Sequence, residues 1–204
     1  MPSPCRVAAP GGWTPPAVPG AGPAIDDDHS MLLLAIERWN HAATSANVVS
    51  ASNGKTLLPA YGVKEFAGIK VAFIGMTLQA TPGIVTPTGV AGLEFREEAA
   101  TVNALIPELR AAGIESIVVL VHQGGFQTGS LSDINACEGN LAGSEIASIV
   151  SRLDDAVDLV ISGHTHAAYN CKLPNVTGRK VAVTSTPAFG RVLSAVDLSI
   201  DPGT

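Results

Sequence analysis

The pattern of hydrophobic positions along the chain combines short, fully apolar runs with one longer segment of helical periodicity. Runs of mostly β-branched residues at 116–121 and 157–161 predict buried strands. Residues 95–111 repeat apolar side chains on one helical face, and Ala112-Gly113 is a typical helix end. The order strand, helix, strand over 70–121 predicts a βαβ unit. The pattern therefore indicates an α/β fold.

The complete set of predicted elements follows from the same periodicities. Strands are predicted at 46–51, 60–66, 69–75, 116–121, 157–161, 180–185 and 192–199. Helices are predicted at 95–111 and 144–153, and the apolar face of the first consists of Phe95, Ala99, Val102, Leu105, Ile106 and Leu109. Two long segments, 77–93 and 123–143, are predicted to be ordered loops. Long loops of the second kind are frequently functional, whereas a simple connection is the alternative for 77–93.

The first part of the chain differs in composition from the remainder. Residues 1–24 contain seven prolines and little apolar periodicity, which predicts disorder or an extended linker. Three aspartates, 26–28, precede a helix that is predicted to end at about residue 43. Its apolar run, 31–36, is too short to span a membrane, and no signal-peptide pattern is visible. We therefore divide the chain into a Pro/Gly-rich, acidic segment, 1–44, and a folded portion, 45–204.

Charge narrows the range of partners. The formal net charge is −6, and the lysines and arginines are scattered without a basic cluster. This distribution argues against a nucleic-acid polymer as partner. A small-molecule substrate and no membrane association are the corresponding expectations.

Three of the five histidines stand at the ends of predicted strands. His122 follows the run 116–121, and His164 and His166 follow 157–161 after Ser162-Gly163. Open α/β sheets bind ligands at the carboxyl ends of their strands. On an extended loop, residues two apart point the same way, so the pair can reach one metal ion or two adjacent ions. We predict that His122, His164 and His166 converge there as metal ligands.

A structural role is the alternative for each histidine. A single histidine at a strand end is commonly just hydrogen-bonded, and this applies to His122 taken alone. His29 and His41 lack a strand-end context, so we assign neither of them to a site.

Two histidine motifs give the chain a family resemblance. Val121-His122-Gln123-Gly124-Gly125 and Ile161-Ser162-Gly163-His164-Thr165-His166 resemble the last two ligand motifs of the calcineurin-like metallophosphoesterases, in particular the bacterial 5'-nucleotidase and 2',3'-cyclic-nucleotide phosphodiesterase branch. The resemblance extends over about residues 45–201. Its supporting stretches are 45–49, 70–77, 183–185 and 189–193.

The resemblance implies a fold, a cofactor and a location. The fold is a partial αββα sandwich with mixed β-sheets. His122 and His164 would ligate one ion and His166 its neighbour, with Mn or Zn as the expected divalent cation and Ca or Mg as alternatives. The substrate would be a small-molecule ester such as a nucleotide. Members of the family are typically periplasmic or secreted.

The chain lacks other parts of the family pattern. Residues 1–44 contain no Asp-x-His, no Gly-Asp and no Asn-His-Glu or Asn-His-Asp, so the carboxylate that bridges the two metals is unaccounted for. Asp26 to Asp28 with His29 either replace the lost ligands or cap the following helix, and we favour the cap. We expect a domain truncated at both ends, and an exposed sheet edge left by lost strands would promote homodimerisation.

The cysteines leave two alternatives open. The resemblance to exported nucleotidases favours a disulfide between Cys137 and Cys171, whereas the alternative is two free thiols. Cys5 would be the unpaired third cysteine.

The sequence thus predicts a metal-dependent hydrolase, most readily of phosphate esters, with an incomplete metal site. A promiscuous hydrolase of carboxyl esters or lactones is one alternative, since a metal-bound hydroxide is not confined to phosphorus. A catalytically inactive remnant is the other.

Overall fold

The computed structural model describes residues 43–128 and 133–201. Within these ranges eight strands occur: β1 (Val48–Ser50), β2 (Tyr61–Phe66), β3 (Ile69–Met76), β4 (Leu93–Phe95), β5 (Ser116–Val121), β6 (Val157–Ser162), β7 (Tyr169–Pro174) and β8 (Lys180–Ser185). Two α-helices are described, α1 (Glu98–Ala111) and α2 (Glu145–Val150). Short 3-10 helices are found at Thr81–Gly83, Pro87–Val90 and Glu138–Leu141. The described residues between 43 and 194 form one compact unit.

The strands form two sheets. The larger has the order β2-β3-β5-β6-β8-β7, and β1 pairs with β4 in a separate antiparallel sheet. In the larger sheet, β3, β5, β6 and β8 are parallel, while β2 and β7 run antiparallel at the two edges. The structure therefore has the predicted α/β architecture with mixed sheets. The parallel strands end at a common edge, where the histidine motifs follow.

Apolar side chains from neighbouring strands form the core of this sheet. Ile74 in β3 lies opposite Val119 in β5, which lies opposite Val160 in β6, and all three are fully buried. Helix α1 adds Val102 and Leu109 to the same cluster. The continuous apolar runs are explained by this arrangement, since central parallel strands are covered on both faces.

Helix α1 begins and ends as its sequence indicates. The Glu97 carboxylate accepts hydrogen bonds from the backbone N–H groups of Ala99 and Ala100, which caps the helix. At the other end Gly113 has φ +70°, and the backbone N–H of Ile114 donates to the Leu109 carbonyl. This is a Schellman end, which requires the left-handed conformation that glycine adopts without strain.

Several predicted elements differ from those observed. No strand is present over 192–199, so that prediction is wrong. Strands β4 and β7 were not predicted; Phe95 belongs to β4 and therefore does not extend the apolar face of α1. The predicted helix that ends near residue 43 lies outside the described residues, as do Asp26 to His29 and the proline-rich stretch 1–24.

The length and hydropathy of the described helices bear on whether they can span a membrane. None of the described helices has the length and apolar character needed to cross a bilayer.

Candidate metal centre

The loop after β5 carries the first predicted ligand. His122 directly follows Val121, the last residue of the strand, and its side chain is exposed. The His122 backbone N–H donates to the carbonyl of Met76, the last residue of β3, over 2.9 Å. The ends of β3 and β5 are thus tied together, and His122 projects from the edge where the parallel strands end.

The loop after β6 brings His164 to the same place. Its ring centroid lies 5.1 Å from that of His122, with an angle of 69° between the ring planes. Since metal–nitrogen bonds are about 2 Å long, imidazoles that share an ion must be close neighbours, as these two are.

The backbone at the second motif is not extended. His164 and His166 have φ values of 68° and 58°, in the left-handed region that non-glycine residues rarely adopt. The expectation of an extended loop is therefore wrong here, although both side chains are exposed at the same edge. His166 packs its ring 6.3 Å from that of Phe189.

The two glycines of the first motif lie at close contacts with neighbouring segments of the chain. A Cβ atom on Gly124 would lie 2.2 Å from the Gly163 carbonyl oxygen and 2.6 Å from Thr165 Oγ1. A Cβ atom on Gly125 would lie 2.5 Å from Ser144 Oγ. Gly124 therefore allows the first histidine loop to approach the loop that carries His164, and Gly125 allows it to approach Ser144, the N-cap of α2.

Hydrogen bonds fasten the two loops. The Gly163 backbone N–H donates to the Gln123 carbonyl over 3.2 Å. The Thr165 hydroxyl donates to the Gly125 carbonyl over 3.0 Å. Thr165, which lies between the two histidines of the motif, therefore holds their loop against the loop after β5.

A buried tyrosine supports the loops from beneath. The Tyr169 hydroxyl lies 2.6 Å from Ser162 Oγ, and the Ser162 hydroxyl also donates to the Thr184 carbonyl. Burial raises the pKa of Tyr169, and its hydrogen bond to Ser162, with the nearby Ser185 and Gly125 backbone, offsets part of that rise. Tyr169 is thus a neutral anchor that joins the strand before His164 to the loop after His122.

The electrostatics of the histidine cluster favour neutral imidazole. Partial desolvation of the ring, followed by the proximity of His164 and His166, lowers the pKa of His122 below its usual value. Neutral imidazole is the form that ligates metals.

The ligand role of the three histidines stays a prediction. The structure brings His122 and His164 into ring contact and holds His166 two residues further along the same loop. Within 43–128 and 133–201, no group of three or more histidine, cysteine or acidic side chains is close enough to hold a metal ion.

The predicted disulfide is confirmed. Cys137 and Cys171 are bonded, with their Cα atoms 5.1 Å apart, and the bond joins the long loop after β5 to β7. The buried Gln127 reinforces this connection, since its amide donates to the Ala168 carbonyl and its carbonyl accepts from the Glu138 backbone N–H. Gln127 was not predicted, because a single polar residue in a loop gives no sequence signal.

Phe189 and Arg191 are further residues at this edge that pattern reasoning did not assign to the site. They follow β8, the strand next to β6, and the Arg191 guanidinium carbon lies 5.4 Å from the centroid of the Phe189 ring. An aromatic residue followed by Gly-Arg after a buried strand was the available signal.

The chain is similar in sequence to proteins described as an endonuclease and as 5'-nucleotidases. It is 31% identical to Endonuclease YhcR of Bacillus subtilis over 177 residues. This aligned stretch covers 87% of this chain and 13% of that protein. It is 26% identical over 152 residues to the 5'-nucleotidase of Vibrio cholerae, covering 74% of this chain and 26% of that enzyme. The chain thus spans about a quarter or less of the length of these relatives. No family model matches the chain.

Solved structures share the fold. The sulfate thiohydrolase SoxB of Thermus thermophilus superposes with a TM-score of 0.60 at 20% identity, over 79% of this chain and 26% of that one. The calcineurin-like phosphoesterase YfkN of Bacillus subtilis gives a TM-score of 0.52 at 20% identity, over 70% and 45% of the two chains. In sequence the chain is therefore a relative of the 5'-nucleotidases, and in fold it matches the calcineurin-like phosphoesterases, in both cases over part of their length.

Proposed function

We propose that this chain is a metal-dependent hydrolase of phosphate esters in which His122, His164 and His166 supply nitrogen ligands. The observation that carries the proposal is the contact between the His122 and His164 rings at the ends of two adjacent parallel strands. Its second support is the similarity to nucleotidases and to the calcineurin-like phosphoesterase fold.

The donor set suits a borderline divalent cation. Imidazole nitrogen binds Zn and Mn, and the lowered pKa of His122 keeps that nitrogen free of a proton at neutral pH. His122 and His164 would hold such an ion together, and His166 would bind a second, neighbouring ion. A cation bound there would act as a Lewis acid and lower the pKa of its bound water.

The protein's own contribution is to hold the donors in place. The Gly124 backbone packs against Gly163, and the Thr165 hydroxyl bonds the Gly125 carbonyl, so the two histidine loops act as one rigid unit. Donors fixed before the ligand arrives lose less entropy on binding.

The substrate class we propose is a small phosphate ester, with nucleotides as the specific candidates. The relatives described as 5'-nucleotidases support a nucleotide. The net charge of −6 opposes a long polyanion such as a nucleic acid, although the Bacillus relative is described as an endonuclease.

The test is an activity panel on the full chain. Hydrolysis of p-nitrophenyl phosphate, bis-p-nitrophenyl phosphate and p-nitrophenyl acetate is followed after chelation and after adding back Mn, Zn, Ca or Mg. We expect phosphate-ester turnover that disappears with chelator and returns with Mn or Zn. His164→Ala should abolish it, whereas the matched variant His41→Ala should retain it.

Two results would contradict the proposal. Turnover of the acetate ester alone would identify a carboxyl-ester hydrolase. Absence of turnover on every substrate with every metal would identify an inactive remnant.

A further inference from the structure

Phe189 is an exposed aromatic residue that lies beside His166 and outside the apolar core. Phe189 is 85% exposed, and its φ of 71° lies in the left-handed region. That conformation is an outlier for a bulky side chain, and such outliers concentrate at functional sites. A large apolar ring that faces water in a strained backbone contributes little to folding, so its position calls for another explanation.

The neighbours of Phe189 carry complementary chemistry. The His166 ring lies 6.3 Å from the Phe189 ring, at a tilt of 59°. The exposed guanidinium of Arg191 lies 5.4 Å from the ring centroid, within cation–π distance. A flat apolar surface and a cation are thus combined next to a proposed metal ligand.

We propose that Phe189 and Arg191 form the substrate-binding rim of this site, which selects phosphate esters with an aromatic leaving group. The ring of the leaving group, an aryl group or a nucleobase, stacks on Phe189. The Arg191 guanidinium attracts the phosphate, which matters in a chain of net charge −6. This inference rests on the proposed function and specifies its substrate class.

Alkyl and aromatic phosphate esters would make different contacts with Phe189 and Arg191. An alkyl phosphate has the charge that Arg191 recognises but no ring to stack on Phe189. An aryl or nucleoside phosphate has both. Removing Phe189 should therefore weaken only the aromatic substrates, whereas removing Arg191 should weaken both classes.

The experiment compares KM for phenyl phosphate, adenosine monophosphate and glycerol 2-phosphate with the metal-loaded full chain. For each substrate the ratio of variant to wild type is used, so that differences in leaving-group reactivity cancel. Phe189→Ala should raise KM about tenfold for the two aromatic esters and leave glycerol 2-phosphate unchanged. Phe189→Trp should restore the wild-type value. Arg191→Gln should raise KM for all three.

The matched control is Phe66→Ala. Phe66 is also exposed, at 41%, but it lies at the end of the β2–β3 hairpin, away from the carboxyl end of β3. Its substitution should leave all three KM values unchanged.

A second readout separates this inference from the proposed function. Saturation-transfer NMR of phenyl phosphate is recorded on chelator-treated protein, where no turnover is needed. Loss of ring-proton signal in Phe189→Ala but not in Phe66→Ala would support the rim even if no metal restores activity. Equal effects of Phe189→Ala on aromatic and alkyl esters, or an unchanged NMR signal, would overturn it.

Discussion

Unusual backbone angles gather at the edge where β6 and β8 end. His164, His166 and Phe189 all have positive φ. Each such residue costs on the order of 1–3 kcal/mol when the conformation is strained, and it persists only where the surroundings enforce it. For His164 and His166, the neighbouring bonds of Gly163 and Thr165 to the loop after β5 hold the backbone in place. The geometry of the histidine cluster is thus set by a few residues between and beside the histidines.

Gly124 lies where the two histidine loops are too close together to admit a side chain. Gly124→Ala would place a methyl group against the Gly163 carbonyl, so the loops must separate. We expect a loss of roughly 1–3 kcal/mol in the free energy of unfolding, together with weaker metal binding. Chemical denaturation and metal titration measure the two effects.

Gly83→Ala provides the matched comparison. Gly83 has open space around its Cβ position and an ordinary φ, so the same substitution there should be close to neutral. Equal stability of the two variants would refute the close packing of the histidine loops.

At the scale of elements, the sequence predicted the strands that are continuous and apolar. β5 and β6 were found because buried parallel strands have few polar positions. β7 was missed, although Tyr169, Cys171 and Leu173 alternate with exposed residues, because the intervening polar side chains resemble a loop. The apolar alternation at 192–199 suggested a strand, but a pattern does not reveal whether an edge is free, and β7 occupies the place beside β8.

The turn between β7 and β8 depends on one carboxylate. Asp155 accepts hydrogen bonds from the Thr177 hydroxyl and the Asn175 amide, and Arg179 lies 3.8 Å away. These contacts, the Thr177 bond first, lower the pKa of Asp155 below its usual value. The turn is therefore stabilised by the ionised form of Asp155.

The consequence is a pH-dependent stability. Because the pKa of Asp155 is lower in the folded state, its contribution is complete above the unfolded pKa of about 4 and is lost as pH falls through the folded pKa. Asp155→Asn should therefore be less stable than wild type at pH 6, with a difference that shrinks towards pH 3. Urea denaturation across this range measures it, and a difference independent of pH would contradict the assignment.

The disulfide joins two elements that are 34 residues apart. Loop-closure entropy predicts that replacing both Cys137 and Cys171 by Ala lowers the free energy of unfolding by about 3–4 kcal/mol. Denaturation with and without reductant measures this. The double variant should be insensitive to reductant, whereas Cys5→Ala should remain as sensitive as wild type. A wild-type protein that is indifferent to reductant would show that the bond does not stabilise the fold.

At the scale of the whole molecule, topology made part of the site predictable. Parallel strands β5 and β6 are neighbours, so the residues that follow them, His122 and His164, had to meet. The left-handed turns at His164 and His166 and the position of Phe189 were not predictable, because they arise from contacts between loops. The family pattern expects carboxylate ligands beside the histidines. Within the part of the chain that the structure describes, no group of three or more histidine, cysteine or acidic side chains is close enough to hold a metal ion.

The central claim is that the histidine cluster binds a divalent cation. Its most direct test is a titration of the full chain with Mn²⁺, in which free Mn²⁺ is measured by electron paramagnetic resonance. We predict at least one bound ion, with affinity reduced about tenfold or more in His122→Ala and in His164→Ala, and unchanged in His41→Ala and Asp28→Asn. Unchanged Mn²⁺ affinity in both His122→Ala and His164→Ala would contradict the account.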